Sequence, residues 1–261
     1  MKPLMGRRIL VGRAAKQAGA LSDLLREQGA TVIEVPFIEI KAPKSYKPLD
    51  EALRRLHLYD WLVLTSVNGV EVLLSRLQKI KSANLSKLRV AAIGPATRAE
   101  IEKNGLRVDV MPREYVAESV VRALRSKVKG KRVLLVRARV ARDVIPRELR
   151  KAGARVDVVE SYRTRLPRGS AAKIQAVLSD PKRQPHAITF TSSSTVKNFM
   201  KMASRAPLKG IVVASIGPVT SATLREHGLR VDAEAREYTI TGLVAAIKKA
   251  FTTKDTKAAR R

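Results

Sequence analysis

Two stretches of the chain carry the same polar residues at the same spacing: AAIGPATRAEIEKNGLRVD at 91–109 and ASIGPVTSATLREHGLRVD at 214–232. Each sets a Gly-Pro pair, Gly94-Pro95 or Gly217-Pro218, directly behind an apolar run, with Thr97 or Thr220 shortly after it. Glycine permits a tight turn there, and proline is preorganised for the first position of a helix, where its missing N–H costs nothing. The threonines then fall in a first helical turn, beside backbone N–H groups that have no partner within the helix. Such a terminus carries about half a positive charge and draws anions. A second pair, TSVNG at 65–69 and TSSST at 191–195, brings Ser66, Asn68, Ser192, Ser193 and Ser194 to the same kind of strand-to-helix turn. Arg13 and Arg137 each follow an apolar strand at its C-terminal end and suit a carboxylate clamp. This chemistry is the binding of a multiply charged anion. The alternative is that the turns are ordinary helix caps, which favour Ser, Thr and Asn, and that the arginines are surface charges.

Other chemistries find no support in the residues. There is no cysteine, hence no disulfide, thiolate metal site or thiol nucleophile. His57, His186 and His227 occupy unrelated positions and form no metal-binding spacing, and a P-loop, a GxGxxG fingerprint and a nucleophile elbow are all lacking. Asp143, in RARVARD, is expected to pair locally with Arg139 or Arg142. An enzyme built from this inventory holds a reactive substrate in shape rather than attacking it.

The net charge of +29 also calls for an anionic partner, whether nucleic acid, lipid or a small molecule with several carboxylates or phosphates, unless it serves solubility alone. Nucleic-acid recognition needs stacking aromatics or a known module. Aromatics are 4% of the chain and Trp61 sits inside a strand pattern, so nucleic acid is not expected as the partner. No apolar run approaches the roughly 18 residues of a membrane helix, and Arg7, Arg8 and Arg13 interrupt the start of the chain before a signal-peptide core. A cytoplasmic protein with no membrane partner is expected.

The elements that must position these turns alternate. Strands are expected at 8–12, 31–35, 61–65, 88–93, 132–136, 155–159, 187–191 and 211–216, with amphipathic helices between them, which implies an α/β fold with parallel sheets. A larger repeat underlies the first: RILVGRAAKQAGALSDLLREQGATVIEV aligns with RVLLVRARVARDVIPRELRKAGARVDVV, and REYVAE echoes REYTIT. The connections VPFIEIKAPKSYKPLDEA and VESYRTRLPRGSAA look like linkers, whereas RSKVKGK is a short loop within one domain. Two flavodoxin-like lobes are therefore expected: a discontinuous outer lobe of 1–38 plus 166–252, and an inner lobe of 40–163. They would be joined by paired segments near 36–40 and 160–165, with 253–261 a disordered basic tail. In open α/β sheets ligands sit beyond the C-terminal strand ends, so the four turns are expected to face one cleft. Two lobes enclosing a site need no partner subunit, and a monomer is expected.

In their order and spacing, DWLVLTSVNGVE, AAIGPAT, LLVRARVARDVIPREL, VVESYRT, ITFTSSSTVKNF and ASIGPVTSATLREHGLRVD resemble the uroporphyrinogen-III synthase family across nearly the whole chain. The resemblance implies two flavodoxin-like lobes and a cofactor-free, metal-free reaction. In it the linear tetrapyrrole hydroxymethylbilane loses its hydroxyl as water and closes with its last pyrrole inverted, through a spiro intermediate. It implies a substrate with eight carboxylates, which matches the anion chemistry of the turns. The family's conserved tyrosine falls on Tyr162, implied to assist departure of the hydroxyl. The family's cleft hydroxyls fall on Ser66, Thr97, Ser192 and Thr220. A basic residue that some members carry before the second IGP has no counterpart here, where Val212 and Val213 stand; Arg13 or Arg137 would have to supply that charge. The alternative function is a non-catalytic two-lobed binder of a small polyanion.

Overall fold

The computed structural model describes residues 2–80, 85, 87–203 and 208–258. Its strands are β1 (Arg8–Val11), β2 (Thr31–Glu34), β3 (Glu39–Lys41), β4 (Trp61–Leu64), β5 (Arg89–Ala92), β6 (Arg132–Ala138), β7 (Arg155–Arg165), β8 (Ala187–Phe190), β9 (Val212–Ser215) and β10 (Ala233–Glu234). Its helices are α1 (Ala15–Glu27), α2 (Lys47–Arg54), α3 (Val67–Leu77), α4 (Pro95–Lys103), α5 (Ala117–Leu124), α6 (Val144–Lys151), α7 (Ser170–Ser179), α8 (Ser193–Ala203), α9 (Pro218–Glu226) and α10 (Ile240–Ala258). The chain divides into two compact units, Met1–Glu39 with Arg165–Arg261, and Ile40–Thr164.

The sheet of the first unit runs β2-β1-β8-β9-β10 and that of the second β5-β4-β6-β7-β3. The pairings β1–β2, β1–β8, β8–β9, β9–β10, β4–β5, β4–β6 and β6–β7 are all parallel. Counted along the chain, the first sheet has the strand order 2-1-3-4-5 of flavodoxin-like folds. The second has the same order when read from β6 and β7 on to β4 and β5, with Val110, bridged to Ala91, in the fifth place.

Strands such as WLVL, AITF and VVAS are buried along their whole length, as expected where helices cover both faces of a parallel sheet. Alternate residues then serve opposite layers. In the first unit Ile9, Val11, Ala187, Val212 and Ala214 pack with Leu21, Leu25, Leu243 and Ile247 of α1 and α10. Leu10, Ile188, Phe190 and Val213 pack with Ile174, Val196, Phe199 and Leu224 of α7, α8 and α9. In the second unit Leu62, Leu64, Leu134 and Val136 face α2, α3 and α4, while Trp61, Val63, Val133 and Leu135 face α5 and α6. Each α/β crossover thus carries its apolar stripe to one face of its sheet.

Three segments differ from the sequence reading. The stretch about residue 40 forms β3, and β7 runs on through Ser161, Tyr162 and Thr164 to Arg165, so the segments expected as linkers, in which the two units meet along the chain, are strands rather than irregular. The reason is local: ESYRTR mixes β-branched and aromatic residues, which fit a pleated surface, and β3 lies beside β7 in the sheet. The third is the basic tail. Helix α10 continues to Ala258 rather than stopping before 253, since no Gly or Pro follows Gly242; residues 259–261 lie outside the described residues.

Candidate functional site

Every predicted site residue lies at the C-terminal end of its sheet or in the helix turn that follows. In the second unit β4 ends at Leu64, and Thr65 and Ser66 lead into α3. Ser66 is the N-cap of α3: its backbone is extended and its Oγ accepts from Gly69 N at 3.1 Å. Asn68 follows in the first turn of that helix. The same Oγ lies 3.1 Å from the hydroxyl of Tyr162, a residue of β7 that is 8% exposed. Two residues far apart in sequence are thereby joined.

A break in strand register aims Tyr162 at that cap. Between Arg137 and Ala138 the β6–β7 pairing shifts, so that Ala138 opposes Tyr162, and such irregularities redirect a side chain. Ser161, fully buried, donates to Arg137 O at 3.1 Å and holds the shifted backbone, while Arg139 N donates to Tyr162 O at 2.9 Å. Gly69 matters here too. A Cβ on it would lie 3.3 Å from Ser66 Oγ and 3.7 Å from both Ser161 Oγ and Val136 O. Sequence reasoning missed Ser161 and Gly69, and nothing in the repeat marks them.

Arg137 bends back on its own loop. Its guanidinium donates to Arg142 O at 3.0 Å and to Asp143 Oδ1 at 3.2 Å, with its side chain 16% exposed. Asp143 therefore pairs with Arg137, not with Arg139 or Arg142 as expected, and Arg142 instead binds Glu118 at 2.6 Å. The cause is the depth of Arg137 at the strand end, where a planar fork can bridge a carbonyl and a carboxylate.

Beside β4, β5 ends at the first Gly-Pro turn. Gly94 caps α4 with φ 81 and ψ 158, and Thr97 is buried in the first turn. The first bond of this helix runs from Arg98 N to Gly94 O, so the amides of Ala96 and Thr97 precede the intrahelical ladder. Tyr115, from the REY motif, covers the glycine: a Cβ there would meet its Cβ and Cγ at 3.6 Å.

The first unit repeats the plan with different details. Ser192 N and Oγ and Thr195 N and Oγ1 exchange reciprocal bonds of 3.2 Å, a capping arrangement at the start of α8. Ser193 Oγ donates to Val219 O at 3.4 Å and accepts from Thr223 Oγ1 at 2.8 Å, tying α8 to α9. Ser194 follows in the first turn, half-buried. Gly217 caps α9, Thr220 is buried, and Tyr238 of the second REY motif lies over the glycine. Both tyrosines were legible as part of the REY repeat, though without a role. Arg13 follows β1; its Nε is buried with no hydrogen-bond partner, and burial holds the guanidinium below its ordinary pKa. An arginine in that state favours an incoming anion.

Among the described residues no cluster of His, Asp and Glu could hold a metal ion, and no helix is long and apolar enough to cross a membrane. The arrangement can bind carboxylates at backbone amides and hydroxyls, and it offers one phenol beside one serine as a source of a proton.

A family model described as uroporphyrinogen-III synthase HemD matches residues 19–245 of this chain. The chain belongs to the uroporphyrinogen-III synthase family. Uroporphyrinogen-III synthase of Synechococcus elongatus is 39% identical over 257 residues, spanning 95% of this chain and 97% of the relative. Uroporphyrinogen-III synthase of Chlorobaculum parvum is 26% identical over 230 residues, spanning 86% and 91%. Among solved structures, a mutant uroporphyrinogen III synthase from Thermus thermophilus superposes with a TM-score of 0.69 at 18% identity, covering 95% of this chain and 100% of its own. The synthetase from Helicobacter pylori gives 0.59 at 17%, covering 93% and 99%. These two likenesses show the same α/β fold with parallel sheets.

Proposed function

We propose that the protein is a cytoplasmic hydro-lyase of tetrapyrrole biosynthesis that closes hydroxymethylbilane to uroporphyrinogen III, with inversion of the terminal pyrrole and loss of water. The observation that carries this is the pairing of Tyr162 with the cap serine of α3, at 3.1 Å, at the end of a sheet whose neighbouring turn starts α4. Family membership supports the reaction class.

The residues divide the work by their chemistry. The substrate's carboxylates are taken by the helix starts at Gly94-Thr97 and Gly217-Thr220, by the hydroxyls and amide of Ser66, Asn68, Ser192, Ser193 and Ser194, and by Arg13. Arg137 contributes positive charge and braces the loop beside Tyr162. Tyr162 assists departure of the hydroxyl. Bending the linear chain so that its reactive end meets the substituted carbon of the last ring is a matter of orientation, and orientation alone can lower a barrier by several kcal/mol. No cofactor is required by this chemistry, and a monomer suffices for it.

The test is isomer composition. Purified protein given fresh hydroxymethylbilane is expected to yield the type III isomer in large excess over type I, read by chromatography after oxidation. Equal yields of type I with and without protein would overturn the proposal.

A further inference from the structure

The geometry assigns the Tyr162 and Ser66 hydroxyls a joint role: they act as one proton-holding unit, in which neither works without the other. This rests on the function proposed above.

The count of protons and lone pairs leads there. A serine hydroxyl has one proton and two lone pairs, and a phenol one proton and similar accepting capacity. One lone pair of Ser66 Oγ is taken by Gly69 N–H at 3.1 Å, and the other hydroxyl of the pair lies at 3.1 Å. Between the two oxygens one proton is used internally and one is left over. If Tyr162 donates to Ser66, the remaining proton is on Ser66. If Ser66 donates to Tyr162, it is on Tyr162. In both arrangements a single proton is available outward, and the two states interconvert by rotating the two hydroxyls.

The charge left behind is the same in both. An alcohol is far less acidic than a phenol, whose ordinary pKa is about 10. When the substrate's C–O bond breaks, the oxygen leaves with the bonding electrons, takes the outward proton and departs as water. The substrate carbon becomes an electrophile stabilised by its pyrrole nitrogen. The negative charge settles on Tyr162, because Ser66 either gives up its own proton and takes the phenol's in its place, or keeps its proton and donates a hydrogen bond to the phenolate. The unit is restored by the proton that the tetrapyrrole sheds after ring closure. Gly69 N–H keeps Ser66 Oγ fixed throughout, and the register shift that opposes Ala138 to Tyr162 keeps the phenol aimed at it.

Five variants test this against the wild type. Tyr162→Phe and Ser66→Gly are each expected to lower kcat by about a hundredfold, the low end of what a placed proton donor contributes. KM should stay within about twofold for Tyr162→Phe and be somewhat raised for Ser66→Gly, which also removes a hydroxyl from the carboxylates. Glycine is chosen because it is tolerated at a helix cap. Ser66→Asn caps as well as serine but has no hydroxyl; it should fall equally, and it serves in place of the glycine variant if that one melts early by circular dichroism. Ser66→Thr, which keeps the hydroxyl, should restore most of the rate. The double variant Ser66→Gly/Tyr162→Phe should lie within about threefold of Tyr162→Phe alone, since residues acting as a unit are not additive. Losses that multiply in the double variant, or a wild-type kcat in folded Ser66→Gly or Ser66→Asn, would overturn the pair while leaving the proposed reaction standing. A wild-type protein that makes no excess of type III would overturn the reaction and this inference together.

Discussion

Compare the two copies of the nineteen-residue repeat, one in each unit. Much of what they share is joinery. In GLRVD the aspartate returns to the strand before it: Asp109 Oδ2 accepts from Val90 N at 2.8 Å, and Asp232 Oδ2 from Val213 N at 3.0 Å. The isoleucine of IGP donates to the neighbouring strand in both, Ile93 N to Leu64 O at 3.1 Å and Ile216 N to Phe190 O at 3.0 Å. The difference lies in the turn itself. Gly94 sits at φ 81 and ψ 158, whereas Gly217 is extended, with φ 163 and ψ −179. One upstream residue accounts for it. Ser215 Oγ donates to Gly217 O at 3.0 Å and accepts from Gly217 N at 3.3 Å, and the matching position in the other copy is Ala92, with no hydroxyl. Identical motifs therefore need glycine for different reasons.

That contrast gives the largest expected effects. Gly94→Ala forces a side chain into a backbone region nearly exclusive to glycine, at a cost of about 1–3 kcal/mol. Trimming Tyr115 to leucine should not relieve it. Gly217→Ala is expected to cost a similar amount by crowding, since its Cβ would lie 2.9 Å from Tyr238 Cδ1. Here Tyr238→Leu should relieve the crowding, giving a coupling of about 1 kcal/mol in a double-mutant cycle. Urea melts of the six variants read both cycles. Equal coupling in the two units would mean that the turns are strained in the same way after all.

A smaller effect tests the shared joint. Asp109→Ala and Asp232→Ala each strip a strand N–H of its charged acceptor and should destabilise by about 1 kcal/mol. Because both bonds are part-buried and of like length, the two losses should agree within a few tenths of a kcal/mol. A large disparity would show that one aspartate has work beyond closing its strand.

The parts of this plan visible in sequence were those written in periodicity and repetition. Strands such as RILV and WLVL stand out because a strand buried on both faces is apolar throughout, and the α/β class with parallel sheets follows from their alternation with helices. The turns at Gly94 and Gly217 were visible because Gly-Pro after a strand has few other uses. What escaped notice depends on partners distant in the chain. Nothing near Tyr162 indicates that its hydroxyl reaches Ser66, 96 positions away, nor that Arg137 turns back to Asp143. The short edge strands β3 and β10 were missed because two or three residues leave no period to detect.

The smallest effect concerns pH, at a joint that the two units build from different acceptors. In the first, Arg8 N donates to His186 Nδ1 at 2.8 Å and His186 N donates to Arg8 O at 2.7 Å. In the second, Arg132 N donates to Asp60 Oδ2 at 2.8 Å and Asp60 N to Arg132 O at 2.9 Å. Burial, then the charges of Arg8 and Arg7, hold His186 below its ordinary pKa of 6.5. The Arg132 N–H bond, followed by Lys131, holds Asp60 below 3.8 in spite of its burial. Both folded values are depressed, so in each case the unfolded chain takes up protons first and stability falls as the pH drops. For His186 the contribution is complete above 6.5 and declines from there toward its lower folded value; for Asp60 it is complete above 3.8 and declines only below that. Amide exchange of β1 and β8 should therefore quicken between pH 7 and 5, while that of β4 and β6 holds steady until the pH nears 4, after correction for intrinsic exchange rates. His186→Asp copies the second unit's acceptor into the first and should move the acid sensitivity of β1 down to the carboxylate range. Unchanged protection of β1 between pH 7 and 5 in the wild type would show that the imidazole nitrogen is not the acceptor that closes this joint.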